Sequence, residues 1–324
     1  MSDVNKFTYL GDIISSDGRN SLNIQERVKK GTGLLCQITK IFQSINLGSF
    51  TIEIALLLRE SILINGILTN AEIWFHLKSS EIENLEKVDR SLFHRLLRLP
   101  QTIPVPALYL ETGTLPVAMI IKVRRLTYFH SILTGRKEGM LYRVFYVQWQ
   151  YPNKGDWTLQ VKNDLNDFNF PCDLDILEKY SKEKFKNIVK VRARVYSFNI
   201  LNRKKLSYRK LENLNYSELK TQNYLLNNEL DHDEKKIIFM FRTRMVNVGE
   251  NFRSGKDFVM CPLCGLHLDS QFLLLQCPGL KDELVNYFGV GHQTSINEVF
   301  SEDISKSTVK ILKFAVEIRK AKLE

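Results

Sequence analysis

The sequence predicts a mostly α fold, with a short β-hairpin at the N-terminus and a small cysteine-containing module near the C-terminus. Three observations predict it. Over most of the 324 residues, apolar side chains recur at steps of three and four, which is the spacing of helices that bury one face. Two short β-prone runs near the start precede Asp17-Gly18, a pair typical of hairpin turns. Cys261 and Cys264 have the spacing of a metal-binding knuckle.

The composition is that of an ordinary folded protein without a membrane span. The apolar fraction is 44% and the charged fraction is 25%, so the chain can bury a core. The N-terminus lacks the apolar region of a secretory signal, and the longest apolar runs, such as residues 54–58, are far too short to cross a bilayer. Three of the five cysteines cluster, which favours metal binding in a reducing compartment over disulfides. We therefore expect an intracellular protein with no membrane partner.

The first hundred residues are predicted to form the hairpin and three helices. The hairpin occupies residues 7–18, where two β-prone runs flank Gly11-Asp12. Helical spacing begins at Asn23, and a run that is apolar on most sides, residues 51–75, predicts a second helix at the centre of a bundle. The third helix covers residues 79–100, because serines suited to an N-cap start it and a proline ends it.

The rest of the chain is predicted to alternate helices and loops. In order, we expect a connector at 101–116, a helix at 117–133, an aromatic-rich helix and loop at 140–170, a long basic helix at 174–201, a helix at 235–248 and a last helix at 305–322. In the helix at 117–133, we expect Lys122, Arg124 and Arg125 to be exposed. The predicted domains are the hairpin at 1–20, a helical domain at 21–135, a basic helical linker at 136–250, the cysteine-containing module at 251–285 and a C-terminal helix at 286–324.

The net charge of +10 is concentrated in one segment. Residues 181–210 contain eleven Lys or Arg and one acid, so this segment carries a charge equal to that of the whole chain. Lys182, Lys186, Lys190 and Arg194 step by four and form one cationic stripe along the predicted helix. Like charges at that spacing destabilise a helix unless something acidic neutralises them, which favours contact with phosphates.

Nucleic acid, either RNA or DNA, is therefore the expected partner, and a solvated helix face is the alternative. The candidate contacts for nucleic acid are Lys182, Lys186, Lys190, Arg192, Arg194, Arg203, Lys204, Lys205, Arg124 and Arg125. Tyr9 and Trp74 can stack on bases, although aromatic residues at such apolar positions more often belong to a core. The histidines lack the partner spacing of a nucleophile or general base, so no catalytic residue and no small-molecule substrate are expected.

The cysteine-containing module has donor atoms for zinc but lacks the usual knuckle histidine. Cys261, Cys264 and Cys277 supply three thiols, His267 is the nearest candidate for the fourth ligand, and His292 is a more distant candidate. Zinc is thus the expected cofactor. Phe272 stands where the knuckle histidine would fall, which leaves a metal-free, degenerate knuckle as the alternative. That alternative would be held by the packing of Leu268, Phe272, Leu273 and Leu275.

Three groups of residues in this order along the chain match motifs of one family. They are FTYLG at 7–11 with Asp17-Gly18, then NAEIW at 70–74, LEKVDR at 85–90 and LYLETGTLP at 108–116, and last FRTRM at 241–245 with CPLC at 261–264. Together they resemble the reverse transcriptases of non-LTR (LINE-type) retrotransposons. FTYLG at 7–11 with Asp17-Gly18 resembles the F-x-YLG hairpin of the primer grip in that family. Three passages resemble the helical thumb and the linker after it, namely NAEIW at 70–74, LEKVDR at 85–90 and LYLETGTLP at 108–116. Four further passages resemble the C-terminal knuckle region, namely FRTRM at 241–245, NF at 251–252, CPLC at 261–264 and DSQ through CP at 269–278.

The resemblance implies a multi-helix thumb/linker bundle with a degenerate CCHC-type knuckle. The implied location is the nucleus, and the cytoplasm stays open as a second location. It implies that the chain grips an RNA template and a DNA primer. RNA-directed DNA polymerase activity needs two adjacent palm aspartates that hold Mg²⁺. This sequence contains no Asp-Asp pair, and the resemblance begins just after the place of that pair. We therefore expect no polymerase activity from this chain alone.

Three other functions stay open at the level of the sequence. A host can retain such a fragment as a DNA- or RNA-binding module. The basic helix can instead meet an acidic protein, which would make the chain a helical protein-interaction module. The chain can also be the inert remnant of a decaying element, and the replaced knuckle histidine at Phe272 favours this slightly.

Overall fold

The computed structural model confirms the mostly α class and the N-terminal hairpin. It describes residues 6–9, 11–44, 52–211, 214–243, 245, 259–260, 267–268, 278–279, 282 and 306–321. The described residues form two compact units, each assembled from separate stretches. The first comprises Met1–Ser44, Ile54–Leu92 and Thr114–Leu201, and the second comprises Ile45–Glu53, Phe93–Gly113 and Asn202–Glu324. The five consecutive domains divide the chain differently and stay predictions.

The N-terminal hairpin pairs β1 (Lys6–Tyr9) antiparallel with β2 (Asp12–Ser15). Gly11 makes the turn with a φ of 84°, a conformation that glycine adopts without strain. Asp12 fixes the hairpin to the helices because it accepts hydrogen bonds from Arg27 Nη2 (2.6 Å), Asn23 Nδ2 (2.9 Å) and Asn70. Burial alone would raise the pKa of Asp12, but these hydrogen bonds outweigh it and lower the pKa.

The first helices follow the prediction with one break. Helix α1 (Ser21–Ser44) is followed by a continuous helical run made of α2 (Ile52–Leu58), a π-helical stretch (Arg59–Ile64) and α3 (Asn65–Ile67). The predicted helix over 51–75 does not reach residue 75. Asn70 adopts a left-handed conformation with a φ of 59°, and only a 3-10 turn (Ala71–Ile73) follows. Helix α4 (Ser79–Leu96) begins at the predicted serines.

A short helix occupies the predicted connector. Helix α5 (Val105–Thr112) begins after Pro104, and Gly113 ends it with a φ of 65°. The next helix, α6 (Val117–Leu133), has the predicted bounds. The aromatic-rich region forms α7 (Met140–Gln150) and α8 (Trp157–Asp167).

The long basic helix is divided. A short α9 (Leu174–Glu178) precedes α10 (Lys182–Lys205), because Ser181 starts a new helix with its hydroxyl accepting from the backbone N–H of Lys184 (3.3 Å). Helices α6 to α10 surround an aromatic core in which the ring of Phe129 lies 5.6 Å from that of Phe145 and 5.5 Å from that of Trp149.

The last third of the chain adds short elements and two further helices. These are a 3-10 turn (Arg209–Leu211), α11 (Asn223–Leu226), α12 (His232–Arg242), the strand pair β3 (Val259–Met260) and β4 (His267–Leu268), and α13 (Lys306–Ala321). Asp231 and Glu234 form a capping box at the start of α12. Lys313 of α13 lies 3.2 Å from the Asp231 carboxylate and 3.3 Å from that of Glu234.

Candidate nucleic-acid interface

Helix α10 is held in place by its apolar face. Phe185, Val189 and Ala193, which step by four, are completely buried. The ring of His130 on α6 stacks on Phe185 with centroids 4.2 Å apart, and its Nε2 lies 3.2 Å from the carbonyl oxygen of Leu177. Burial lowers the pKa of His130, so this histidine is a neutral member of the core. The buried face fixes which residues of α10 point to solvent.

The predicted cationic stripe is exposed. Lys182, Lys186, Lys190 and Arg194 are all exposed on α10, one turn apart. Within the described part of the chain, no carboxylate lies within 4.0 Å of the ammonium groups of Lys182, Lys186 or Lys190. Each like-charged pair at this spacing destabilises the helix by about 0.2–0.5 kcal/mol. A line of lysines without neutralising acids is what an anionic ligand would stabilise.

Two other predicted contacts, Arg203 and Lys204, are also exposed. They lie in the last turn of α10, where cations interact favourably with the carbonyl end of the helix dipole. This helix-dipole interaction accounts for their position without any ligand. They stay predicted contacts.

The prediction that Lys205 contacts nucleic acid is wrong, because only 4% of this residue is exposed. Its ammonium group donates to the carbonyl oxygen of Leu214 and lies 5.7 Å from the ring centre of Tyr216. Burial lowers the pKa of Lys205. A phosphate cannot reach this position, so Lys205 ties the end of α10 to the following segment instead.

The prediction that Arg125 is exposed and contacts nucleic acid is also wrong, because this residue is buried. Its guanidinium donates to Asp164 on α8 (2.7 Å) and to the carbonyl oxygen of Trp74 (3.0 Å). The neighbouring Arg124 is half-buried and donates to the carbonyl oxygen of Leu68 (2.5 Å) and to Asn65 (2.7 Å). Burial lowers the pKa of Arg124. Both arginines hold α6 against its neighbours and present little charge to solvent.

Lys122 and Arg192 are likewise engaged inside the first unit. Lys122 lies 3.3 Å from a carboxylate oxygen of Asp164 and also pairs with Asp167. Burial would lower the pKa of Lys122, but the two carboxylates outweigh it and raise the pKa. Arg192 lies over the ring of Phe170 (4.0 Å) and donates to the carbonyl oxygen of Asn169 (2.7 Å). Arg192 is therefore mainly a tether between α10 and the segment that follows α8.

A cavity of about 280 Å³ lies beside this tether. Asp167, Arg192 and Tyr196 are among its lining residues. At about 100° per residue, the cavity residues of α10 lie on the flank opposite Lys190. Its charged groups already have partners, because Asp167 pairs with Lys122 and Arg192 with backbone carbonyls. The cavity thus does not extend the cationic stripe.

The two aromatic candidates behave differently. Trp74 is buried, so its ring belongs to the core. Tyr9 is 57% exposed on β1, and Phe7 beside it is 59% exposed, with the two ring centres 6.5 Å apart. The expectation that Tyr9 is a core residue is wrong, because all four residues of β1 are exposed. Phe7, which was named only as part of the F-x-YLG motif, is a second exposed aromatic, and its alternation with Tyr9 along the strand was the available signal.

The predicted zinc ligands Cys261, Cys264 and Cys277 lie outside the described residues. The backbone of His267 is described, and it pairs with Met260 in the β3–β4 hairpin. Among the residues that the structure describes, no group of three or more His, Cys, Asp and Glu side chains could hold a metal ion. The zinc site stays a prediction.

Comparison with protein-family models, curated proteins and solved structures finds no match to this chain. Within the described ranges, no helix has both the length and the apolar character needed to cross a membrane.

Proposed function

We propose that this chain binds the phosphate backbone of nucleic acid through the cationic stripe, Lys182, Lys186, Lys190 and Arg194 on α10. The observation that carries the proposal is the exposure of all four cations on one helix, with no described carboxylate within 4.0 Å of the three lysine ammonium groups. Phosphate contacts give affinity that depends on salt, and they do not select a sequence. The expected partner is RNA, DNA or a hybrid of the two.

The sequence resemblance supports a more specific proposal. The chain would be the C-terminal part of a non-LTR retrotransposon reverse transcriptase, with primer-grip hairpin, thumb, linker and knuckle. In that setting the stripe would hold template or primer in the nucleus while a palm elsewhere performs the chemistry. The hairpin at residues 6–15 and the helices at 79–96 and 117–133 have the kinds of structure that this proposal requires. This chain alone would catalyse no nucleotide addition.

Charge-neutralising variants test the stripe directly. Changing Lys182, Lys186, Lys190 and Arg194 to glutamine should weaken binding to a labelled RNA–DNA hybrid roughly a hundredfold at ~0.1 M salt, because four phosphate contacts are lost. The matched control also changes three exposed lysines and one exposed arginine to glutamine, at Lys30, Lys40, Lys87 and Arg136. It lowers the net charge equally and should leave affinity within about threefold. Equal losses in both variants would show a net-charge effect instead of a site.

The acidic-protein alternative predicts a different outcome from the same protein. If the stripe meets an acidic protein surface, an RNA–DNA hybrid should bind no better than a polyglutamate chain of equal charge. Preference for the hybrid over polyglutamate would support nucleic acid as the partner.

Zinc is the cofactor that we propose for the C-terminal module. Three cysteine thiols and one imidazole form a donor set that structural zinc sites use. The pairing of Met260 with His267 supports it, since these residues flank the segment that contains Cys261 and Cys264. Purified protein should contain about one zinc per chain by elemental analysis, and Cys264→Ser should lower that content strongly. Zinc-free wild-type protein that retains the same fold and stability would establish the metal-free knuckle.

A further inference from the structure

Helix α7 has two apolar faces, and only one of them is covered. On the inner face, Phe145 and Trp149 are buried in the aromatic core of the first unit. On the outer face, Met140, Val144, Val147 and Tyr151 are 79%, 48%, 60% and 78% exposed. These four residues, from the helix and the residue after it, step by four, three and four. At about 100° per residue, they form one stripe directly opposite the buried face.

The outer face is as large as the largest apolar patches on monomeric proteins. Leu141, 54% exposed, borders the stripe on one side, and the exposed Arg143 borders it on the other. The stripe and Leu141 together offer on the order of 600 Å² of apolar surface, at the upper end of patches on monomeric proteins. A standard protein–protein interface buries about 800 Å² per partner, so this patch is large enough to form the core of one.

The spacing of the stripe makes it complementary to itself. The steps of four, three and four are the same in both directions along the helix. An antiparallel pair of α7 helices related by a two-fold axis would therefore place Met140 of each copy against Tyr151 of the other. It would also place Val144 of each copy against Val147 of the other. Such an isologous contact closes after two copies.

The helix dipoles favour the antiparallel arrangement, because the amino end of each α7 then lies beside the carboxyl end of the other copy. The charged residues that flank α7 favour neither arrangement. Arg136 offsets Glu138 before the helix, Asp156 offsets Lys154 after it, and Lys137 pairs with Glu178 (2.7 Å).

We propose that α7 is a self-association surface on which a second copy of this chain docks antiparallel through Met140, Val144, Val147 and Tyr151. The site is separate in sequence from the cationic stripe and does not depend on nucleic-acid binding.

Sedimentation velocity on the full chain, at protein concentrations from about 1 to 100 μM, tests the proposal. Wild-type protein should show a concentration-dependent dimer. Val147→Glu should weaken dimerisation at least tenfold, because it buries one carboxylate against an apolar residue on each side of the axis. Val191→Glu is the matched control, since Val191 is 61% exposed on α10, and it should leave the dimer unchanged.

A second variant keeps the test independent of folding defects. In the double variant Val144→Lys/Val147→Glu, the antiparallel register places each lysine against a glutamate, so dimerisation should recover at least tenfold relative to Val147→Glu. Parallel pairing would place like charges together, and no recovery would occur. A wild-type protein that stays monomeric over the whole range, or a double variant as weak as the single one, would overturn the proposal. Dimerisation that the control and Val147→Glu reduce equally would overturn it too.

Discussion

Buried arginines connect distant segments within each unit. In the first, Arg59 is completely buried and donates from Nε and Nη2 to both carboxylate oxygens of Asp89 at 2.7 and 2.8 Å. Its Nη2 also donates to the carbonyl oxygen of Leu115 (2.9 Å). In the second, Arg242 Nε donates to Glu111 (2.9 Å), which lies 131 residues earlier in the chain. Burial would lower the pKa of Arg242, but the Glu111 carboxylate outweighs it and raises the pKa.

The Arg59–Asp89 pair yields a prediction about stability. Asp89→Asn should lower the free energy of unfolding by about 3–5 kcal/mol, because it removes the buried, bidentate carboxylate of a buried guanidinium and leaves only the largely exposed Glu60 as an acidic partner. The double variant Arg59→Met/Asp89→Leu should cost much less, since no buried charge remains unpaired. Urea denaturation followed by circular dichroism measures both. A loss below about 1 kcal/mol for Asp89→Asn would contradict the buried pair.

Sequence reasoning located the exposed cations and failed on the buried ones, for a physical reason. Lys182, Lys186 and Lys190 repeat every four residues beside an apolar face, so the helical period alone places them outside. Arg125 sits in α6, a helix with apolar residues on most sides, where no polar face identifies the exposed direction. Its burial depends on Asp164, which lies 39 residues later. A single-residue charge pattern carries no information about such a partner.

Among the elements, α5 and the turn that follows it depend on one glycine. Gly113 ends α5 with a φ of 65°, where a side chain is strained. A Cβ atom there would also overlap the backbone nitrogen of Thr221. The Thr221 hydroxyl donates to the Thr112 carbonyl oxygen (2.8 Å), so this close approach joins two segments of the second unit.

Gly113→Ala should therefore lower the free energy of unfolding by about 3 kcal/mol or more. Gly33→Ala is the matched control, because Gly33 lies within α1 and a Cβ atom there meets nothing within 4 Å. It should raise the free energy of unfolding by about 0.5–1 kcal/mol, since alanine favours helix over glycine. Urea denaturation of both variants gives the comparison. A neutral Gly113→Ala would mean that the α5 turn is not formed as described.

Element prediction succeeded where the sequence marks both ends of a helix. Helix α6 has the predicted bounds because Pro116 precedes its start and its apolar run ends at Leu133, just before Thr134-Gly135. Helix α5 was missed because it has only eight residues, and prolines and a glycine around it are typical of a connector. In α7, the period was visible, but apolar residues fall on opposite sides, and the sequence did not show that one side is open.

For the whole molecule, the two units interleave along the chain, and this was not predictable from local patterns. The first unit is built from three stretches and the second from three others. Periodicity and turn residues report contacts within about one element. The antiparallel bridge between Thr112 and Thr221, or the pairing of Arg242 with Glu111, depends on segments more than a hundred residues apart. Consecutive domain bounds drawn from the sequence therefore describe a different division.

The central claim is that α10 binds nucleic-acid phosphates, and the salt dependence of binding tests it most directly. Fluorescence anisotropy of a labelled RNA–DNA hybrid, measured from ~50 to ~300 mM salt, gives the slope of log affinity against log salt. Each phosphate contact contributes roughly 0.7–0.9 to that slope. Wild-type protein should show a slope of about three or more, and the four-glutamine variant of the stripe should lose most of it. No binding at the lowest salt, or an unchanged slope in that variant, would contradict the claim.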